Sequence, residues 1–449
     1  MKTELLSPAG TLKNMRYAFA YGADAVYAGQ PRYSLRVRNN DFHGDNLRIG
    51  IEEAHRLGKK FFLTSNLMPH NSKVRTYLAD LEPVIELGPD ALIMADPGLI
   101  MMVRDKWPEM PIHLSVQANT VNYAAVKFWQ RQGIERIILS RELSLDEVAE
   151  IRQQCPDVEL EVFVHGALCI AYSGRCLLSG YFNHRDPNQG TCTNSCRWDY
   201  KTVEVEETPE GVYKPTDRIA GESIAVAAPT RSALGSGERH PLADKVYMLE
   251  ESNRPGEHTT IMEDEHGTYI MNSKDLRAVE HVGRLIDIGV DCLKIEGRTK
   301  SHYYVARVTQ SYRQAIDAAE RGEAFDPRLL GDLENLANRG YTDGFFERHH
   351  THEYQNYVDS HSKSRQQSFV GEILNYDEAS GLAEVDVKNR FAVGDKLQLV
   401  TPRGNRDVVV EHLEDKQGNK MEVAPGSGYF VRLPLPQAAD AQSLLAKYL

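Results

Sequence analysis

Four of the six cysteines in this 449-residue chain lie close together, with a spacing that could bind a metal or a cluster. Cys169, Cys176, Cys192 and Cys196 form a C-x₆-C-x₁₅-C-x₃-C pattern. Four thiolates complete the coordination of a tetrahedral Zn²⁺ or of an iron–sulfur cluster. Structural zinc sites more often use two C-x₂₋₄-C pairs, and only Cys192 and Cys196 have that form. The spacing favours an iron–sulfur cluster and leaves structural zinc and unligated thiols open.

Polar residues recur at every second position in three further segments. One face carries His113, Ser115, Gln117 and Asn119 in residues 112–119, Glu161, Phe163 and His165 in residues 160–165, and Lys294, Glu296 and Arg298 in residues 292–298. The apolar face of each strand should pack on helices, so we expect these side chains to point into a barrel lumen. Charges there must be paired, and Lys294 is expected to bond Glu296 or Glu161. The set is either a structural ion pair or a face turned to substrate or cofactor.

Eight short apolar runs, most of them followed by an amphipathic stretch, must position these side chains. The runs are residues 3–6, 24–28, 60–65, 90–95, 112–116, 136–140, 160–165 and 292–296. Five glycines lie just before a following run and predict helix C-caps: Gly22, Gly58, Gly88, Gly133 and Gly289. Eight alternating units predict an α/β fold, a (β/α)₈ TIM-like barrel. A doubly wound open sheet is the alternative, although no G-x-G-x-x-G follows the first run.

The chain divides into three parts. Residues 1–345 are predicted to form the catalytic barrel, with a cysteine-containing insertion at about 166–285. Residues 346–367, rich in His, Ser and Arg, predict a linker. Residues 368–449 predict a small C-terminal all-β barrel, because short alternating runs are separated by turn signals. Its predicted strands are residues 369–374, 382–387, 396–399, 407–413 and 428–433.

Composition excludes several classes of protein. Hydrophobic residues make up 41% and charged residues 26% of the chain, which is typical of a folded globular protein. A net charge of −12 excludes bulk coating of nucleic acid, since that requires neutralising phosphates. The absence of a long apolar run and of a signal peptide predicts no membrane contact and a cytoplasmic location.

Local basic segments could still contact RNA. They are Arg348, His349, His350, His352, His361, Lys363 and Arg365 in the linker, and Lys388, Arg390, Lys396, Arg403 and Arg406 in the β domain.

Several motifs resemble those of a known family. The stretch EVFVHGALC at residues 161–169, followed by GRCLLS at 174–179, closely resembles the signature of the peptidase U32 family, the collagenase-like peptidases. LSPAG at 6–10, NSKDL at 272–276 and KIEGR at 294–298 are similar to its other landmarks. The resemblance covers nearly the whole chain, including the β domain.

The resemblance implies a function in tRNA modification. One branch of the family, which this chain resembles most, takes part in prephenate-dependent, oxygen-independent 5-hydroxylation of the tRNA wobble uridine. That reaction is the first step toward 5-carboxymethoxyuridine and 5-methoxyuridine. Carried over, Cys169, Cys176, Cys192 and Cys196 are ligands of an iron–sulfur cluster of the 4Fe-4S type, with zinc as the alternative. The implied partners are tRNA and prephenate or a similar small dicarboxylate.

A hydroxylase would use the lumen groups around the cluster. Our hypothesis is that His165, Lys294, Glu296 and Arg298 orient the oxygen donor and act as base. A dicarboxylate needs cationic partners, and the planar guanidinium of arginine binds carboxylates in a bidentate manner. The candidate partners are Arg298, Arg141, Arg32, Arg36 and Arg38.

Three alternative functions remain open from the sequence. A cysteine peptidase could use Cys169 with His165, but cluster ligation would consume that thiolate. A zinc-containing scaffold would bind tRNA without modifying it. A related hydroxylase would act on ribosomal RNA or on a quinone precursor.

Overall fold

A computed structural model of the chain describes residues 2–30, 32–35, 41–168, 275–336, 340–347, 367–435, 439–440 and 442–449, together with the backbone of six short strands between residues 200 and 268. The four clustered cysteines, Arg36, Arg38 and residues 348–366 of the predicted linker lie outside these residues. The strands up to residue 342 are β1 (Glu4–Pro8), β2 (Ala25–Gly29), β3 (Lys60–Ser65), β4 (Ala91–Met94), β5 (Ile112–Leu114), β6 (Arg136–Ile138), β7 (Glu159–Ala167), β8 (Tyr200–Glu207), β9 (Tyr213–Ile219), β10 (Tyr247–Glu251), β11 (His258–Ile261), β12 (Glu263–Asp264), β13 (Gly267–Thr268), β14 (Asp275–Arg277), β15 (Cys292–Ile295) and β16 (Tyr341–Thr342). The helices are α1 (Leu12–Ala20), α2 (Asp45–Arg56), α3 (Asn71–Val74), α4 (Tyr77–Ile85), α5 (Pro97–Lys106), α6 (Tyr123–Arg131), α7 (Leu145–Gln154), α8 (Val282–Ile288), α9 (His302–Glu320) and α10 (Arg328–Glu334).

Eight strands form a closed parallel barrel. β1 to β7 pair in chain order, and β15 pairs with both β1 and β7, so no edge is left open. The predicted TIM-like barrel is confirmed, and the open-sheet alternative is wrong. Each strand coincides with a predicted apolar run to within two residues at either end. Apolar residues such as Leu5, Val26 and Leu293 are fully buried in the core.

Local sequence signals determine where the helices begin and end. At the start of α7 the Ser144 side chain accepts from the Glu147 N–H, and the Glu147 carboxylate accepts from the Ser144 N–H. Gly289 ends α8 with a φ of 89°, a conformation that favours glycine. Gly22, Gly58 and Gly133 also have positive φ, which confirms the predicted caps.

Within the described part of the chain, no helix combines the length and the apolar character that a membrane span requires.

The excursion from the barrel lies between β7 and β14. β8 to β11 form an antiparallel sheet in the order β11-β10-β8-β9. β14 then returns to the barrel and pairs antiparallel with the carboxyl end of β7, with Asp275 opposite Ala167. β16 pairs in parallel with β14. The excursion therefore begins and ends at the carboxyl mouth of the barrel.

The C-terminal region is all-β, as predicted. Its strands are β17 (Gln367–Asp377), β18 (Leu382–Val387), β19 (Phe391–Ala392), β20 (Lys396–Thr401), β21 (Gly404–Val409), β22 (Leu413–Glu414), β23 (Lys420–Met421), β24 (Val423–Ala424), β25 (Phe430–Pro434) and β26 (Leu444–Tyr448). Eight of them form one antiparallel sheet around a single apolar core. β26 was not predicted, yet it lies between β17 and β20.

The β domain packs on the outer face of α1 and α9. The Tyr17 hydroxyl donates to Glu372 over 2.8 Å, and the Gln310 amide donates to the Thr401 carbonyl over 2.8 Å. The ring of Tyr303 stacks on Phe369 with centroids 4.7 Å apart. Val400, Leu444 and Ala446 belong to the same apolar cluster as the barrel residues. The β domain and the barrel therefore share a continuous core.

Candidate active site

Charged side chains fill the barrel lumen and bond one another. The Lys294 ammonium lies 2.7 Å from the Glu161 carboxylate, and both side chains are almost completely buried. Arg136 lies 3.5 Å from the second oxygen of Glu161. Lys294 also lies 4.4 Å from the centre of the Tyr27 ring. The predicted lumen pair is confirmed with Glu161 as the partner, and pairing compensates the loss of hydration.

The amino end of the barrel carries a second set of ion pairs. Arg136 bonds Glu4 over 2.5 Å and Glu159 over 2.7 Å, and Lys60 bonds Glu4 over 2.9 Å. Burial raises the pKa of the Glu4 carboxyl, but Arg136 and Lys60 outweigh it and leave the pKa below its ordinary value. Because barrel active sites lie at the opposite face, this network serves stability.

At the carboxyl mouth, Glu296 and Arg298 follow β15. The Tyr27 hydroxyl donates to the Ile295 carbonyl over 2.9 Å and lies 3.3 Å from the Glu296 carboxylate. Gly297 joins the two charged residues at a φ of 152°, and a side chain there would collide with the Tyr304 ring. The turn thus requires glycine and places both charges at the mouth.

The Arg298 guanidinium bonds both the segment that follows β2 and the end of β3. It donates to the Ser34 hydroxyl over 2.7 Å, to the Thr64 hydroxyl over 3.0 Å and to the Leu35 carbonyl. Arg298 is 8% exposed, so these contacts form away from water. Its role in the structure is to shape the mouth by fixing the segment after β2.

His165 lies apart from the lumen group, contrary to the alternating pattern. Phe163 pairs with Lys294 and His165 with Ile295, so β7 contains an extra residue, Val164. Such a bulge reverses the alternation and turns His165 toward α9. There its Nδ1 lies 3.4 Å from the Tyr312 hydroxyl. Burial lowers the pKa of His165 to about 3, so the imidazole is neutral.

Arg141 lies where the cysteine segment leaves the barrel. Its guanidinium donates to the Ala167 carbonyl over 2.6 Å and lies 3.9 Å from the Phe163 ring centre. Its Nε has no hydrogen-bond partner among the described residues. Leu168 is the last described residue before the excursion, and Cys169 follows it in the sequence. Arg141 is therefore a cation next to the start of the cysteine segment.

The described residues offer no competing metal site. No group of three or more His, Cys, Asp or Glu side chains within them could bind an ion. Cys155 and Cys292 are buried free thiols, and burial raises the pKa of both. A protonated buried thiol is a poor ligand. The four cysteines of the excursion remain the predicted ligand set.

Three polar residues of the mouth were not singled out from the sequence. Ser34, Thr64 and Asn66 come at or after the ends of β2 and β3. Ser115 and Gln117 were expected in a strand, but β5 ends at Leu114 and a 3₁₀ turn spans Val116–Ala118. Position directly after a barrel strand was the signal that could have found them.

Comparison with known proteins gives consistent matches over the chain. The model of peptidase family U32 matches residues 10–356, and that of the U32 C-terminal domain matches residues 365–446. The tRNA hydroxylation protein P of Escherichia coli is 61% identical over 97% of this chain and 94% of that protein. Its Haemophilus influenzae counterpart is 59% identical with the same coverage. A crystal structure of the C-terminal domain of a Geobacillus thermoleovorans U32 peptidase is 28% identical, covers 18% of this chain and 90% of that chain, and has a TM-score of 0.17.

Proposed function

This chain belongs to peptidase family U32, and on that premise we propose that it hydroxylates tRNA at C5 of the wobble uridine without dioxygen. The observation that carries the proposal is the high identity, over nearly the whole chain, to two proteins named for tRNA hydroxylation. The fold is compatible with it, since a TIM-like barrel places its chemistry at the carboxyl mouth. Charged and polar side chains converge there.

The proposed cofactor is an iron–sulfur cluster of the 4Fe-4S type. Its ligands are Cys169, Cys176, Cys192 and Cys196, and this donor set supplies the four thiolates that such a cluster needs. When bound, the cluster supplies one-electron transfer. Arg141 lies beside Ala167, two residues before Cys169 in the sequence, so its positive charge would favour an anionic group on this side of the mouth.

The proposed co-substrate is prephenate or a similar small dicarboxylate. Two arginines at the mouth have different capacities to receive it. Arg298 uses its guanidinium nitrogens to hold Ser34, Thr64 and Leu35, whereas Arg141 Nε has no hydrogen-bond partner within the described part of the chain. We therefore assign carboxylate binding to Arg141 and a positioning role to Arg298.

Glu296 is the proposed base. Conversion of the uridine C5–H bond into a C5–OH bond is a two-electron oxidation, for which the proposed co-substrate would give up its hydroxyl oxygen and accept the two electrons. The displaced hydrogen leaves the uracil ring as a proton, which a carboxylate at the mouth can accept and pass to the reduced co-substrate. The Tyr27 hydroxyl fixes Glu296 from one side. Lys294 lies deeper in the barrel lumen, where its ammonium bonds Glu161, so it supports the site from inside the barrel.

A contact of the β domain with tRNA is part of the proposal, but its basic residues are mostly engaged. Lys388 bonds Asp386 over 2.6 Å and Lys396 bonds Asp407 over 2.6 Å. Arg403 lies 3.2 Å from Asp440. These pairs reduce the charge that is available to phosphate. The basic residues predicted in the linker, between positions 348 and 365, lie outside the described residues.

A peptidase activity has less support. A cysteine peptidase needs an imidazole that takes a proton from the thiol. His165 is 1% exposed and its pKa is lowered to about 3 by burial, which makes it a weak base. Its ring packs among aromatic side chains, with the Tyr341 ring centre 5.3 Å away.

Nucleoside analysis tests the proposed function. A strain that lacks the protein is grown without oxygen and complemented with the wild type, Glu296→Gln or Glu135→Gln, and its tRNA nucleosides are measured by mass spectrometry. We expect 5-hydroxyuridine derivatives with the wild type and with Glu135→Gln, which alters an exposed residue at the amino end of the barrel. Glu296→Gln should lower them at least about tenfold. Unchanged tRNA in the deletion strain would overturn the proposal and leave a scaffold, a peptidase or a hydroxylase of another substrate.

A further inference from the structure

A chain of hydrogen bonds runs around the carboxyl mouth and ends on an unsatisfied donor. Arg298 donates to the Leu35 carbonyl, and the Leu35 N–H donates to Asn66 Oδ1 over 3.2 Å. Asn66 Nδ2 donates to the Ser115 hydroxyl over 3.4 Å, and that hydroxyl donates to Gln117 Oε1 over 3.3 Å. Gln117 Nε2 is buried and has no partner among the described residues.

The donor and acceptor roles in this series of hydrogen bonds follow from the Leu35 N–H. A backbone N–H can only donate, so the Leu35 N–H fixes the oxygen of Asn66 toward itself and the nitrogen toward Ser115. The single hydroxyl proton of Ser115 then points at Gln117 Oε1. Both N–H groups of Gln117 are left over, and the residue is only 2% exposed. Two buried donors without acceptors are costly unless a ligand accepts from them.

A second unsatisfied donor, Arg141 Nε, lies just after the neighbouring strand β6. β5 pairs with β6, Gln117 follows β5, and Arg141 follows β6. The two loops are joined, since the Ser140 N–H donates to the Thr120 carbonyl over 3.1 Å. Arg141 Nε is buried without a described partner, as is the Thr120 hydroxyl. Among the described residues, these unused donors therefore lie on the β5–β6 side of the mouth, next to Ala167, where the chain departs toward Cys169.

We propose that Gln117 and Arg141 form a subsite that binds a carboxylate group of the small co-substrate. This inference rests on the proposed function and specifies which side of the mouth receives the co-substrate. A carboxylate offers acceptors only, which suits an amide nitrogen and a guanidinium with donors to spare. The chain from Arg298 to Gln117 fixes the amide in place, so binding requires little reordering.

The proposal is tested by measuring the binding of prephenate and of succinate, a plain dicarboxylate, to the full-length protein purified without oxygen. Gln117→Leu removes the donors, and Gln117→Glu keeps an acceptor for Ser115 while placing a negative charge in the subsite. Gln30→Leu is the matched control, because Gln30 is also 2% exposed at a strand end but its unpaired atom is the acceptor oxygen. Thermal melting confirms folding of each variant.

We expect Gln117→Leu to raise the Kd for the dicarboxylate about tenfold. Gln117→Glu should raise it further, and Arg141→Gln should raise it by a similar amount. Gln30→Leu should bind as the wild type does, and the Kd for tRNA should not change in any variant. Dicarboxylate binding within twofold of wild type in both Gln117 variants would overturn the subsite. Variants that lose affinity for tRNA but not for the dicarboxylate would overturn it as well.

The wild-type protein separates the subsite from the proposed reaction. Binding of succinate but not of prephenate, lost in Gln117→Leu, would support the subsite and remove prephenate as the co-substrate. Binding of neither compound would overturn the subsite. Nucleoside analysis of tRNA would then decide independently whether the protein hydroxylates tRNA.

Discussion

Lys294 and Glu161 form an ion pair inside the barrel, with the ammonium 2.7 Å from the carboxylate and neither side chain more than 3% exposed. Most barrels of this type fill the same volume with Val, Ile and Leu. The pair here lies below Tyr27, whose hydroxyl contacts Glu296 at the mouth. The lumen thus connects a buried charge pair to the candidate base through one aromatic ring.

Replacing one partner of this ion pair should destabilise the protein more than replacing both. Lys294→Met leaves the Glu161 charge buried, with Arg136 at 3.5 Å as its remaining cationic neighbour among the described residues. We expect a loss of about 3–5 kcal/mol in the free energy of unfolding. Lys294→Met combined with Glu161→Leu should recover much of it, because neither charge remains. Urea denaturation measures all three proteins, and equal losses in the single and double variants would contradict the pairing.

Loss of the Tyr27 hydroxyl should affect activity more than stability. Tyr27→Phe keeps the ring beneath Lys294 but removes the bonds to the Ile295 carbonyl and to Glu296. We expect a destabilisation of about 1 kcal/mol and a decrease of about tenfold in 5-hydroxyuridine formation, because the carboxylate loses its orientation.

Tyr376→Phe is the control for the Tyr27 variant. This tyrosine lies in the β domain, and its hydroxyl donates to the Leu435 carbonyl over 3.5 Å. We expect nearly normal modification of tRNA in this variant. Full activity of Tyr27→Phe would show that Glu296 does not depend on this hydroxyl.

His165 should make the protein less stable as the pH falls. Burial lowers its pKa from 6.5 to about 3, so between these values the unfolded chain binds a proton that the folded chain does not. Stability is therefore complete above about pH 6.5 and decreases toward pH 3, by up to about 1.4 kcal/mol per pH unit. His302, whose pKa is lowered to about 4 by burial, adds to the same trend.

The variant His165→Phe should make this pH dependence shallower. We expect it to lose about 1–2 kcal/mol less than the wild type between pH 7 and pH 5. His70→Gln alters an exposed histidine and should follow the wild-type curve. Unfolding curves in urea at the two pH values give the comparison. Identical pH dependence in His165→Phe and wild type would mean that His165 is not buried as a neutral group.

The cysteines of the excursion should determine the metal content. We expect iron and acid-labile sulfide in protein purified without oxygen, and loss of both in Cys176→Ala. Cys155→Ala, which alters a buried thiol at the end of α7, should keep them. Stoichiometric zinc without sulfide in the wild type would contradict the cluster. Proteolysis of a collagen substrate by both variants at the wild-type rate would point to an activity that does not involve the cysteine segment.

The sequence alone determined the barrel and the all-β domain. Alternating apolar runs and amphipathic stretches are local patterns, and Gly58, Gly133 and Gly289 ended helices where only glycine readily adopts positive φ. Alternation within strands also identified Lys294 and Glu161 as lumen residues. β26 escaped detection because it is a short run at the chain end, stabilised by its neighbours β17 and β20.

Only the tertiary structure decided which polar groups meet. A one-residue bulge at Val164 turned His165 away from the lumen, and a bulge depends on the pairing of two distant strands. Glu161 and Lys294 are 133 residues apart, and so the sequence could not choose between Glu161 and Glu296 as the partner. The same holds for Gln117, whose Oε1 accepts from the Ser115 hydroxyl while its Nε2 has no partner among the described residues. Local propensity acts over a few residues, whereas barrel closure brings the ends of separate strands together.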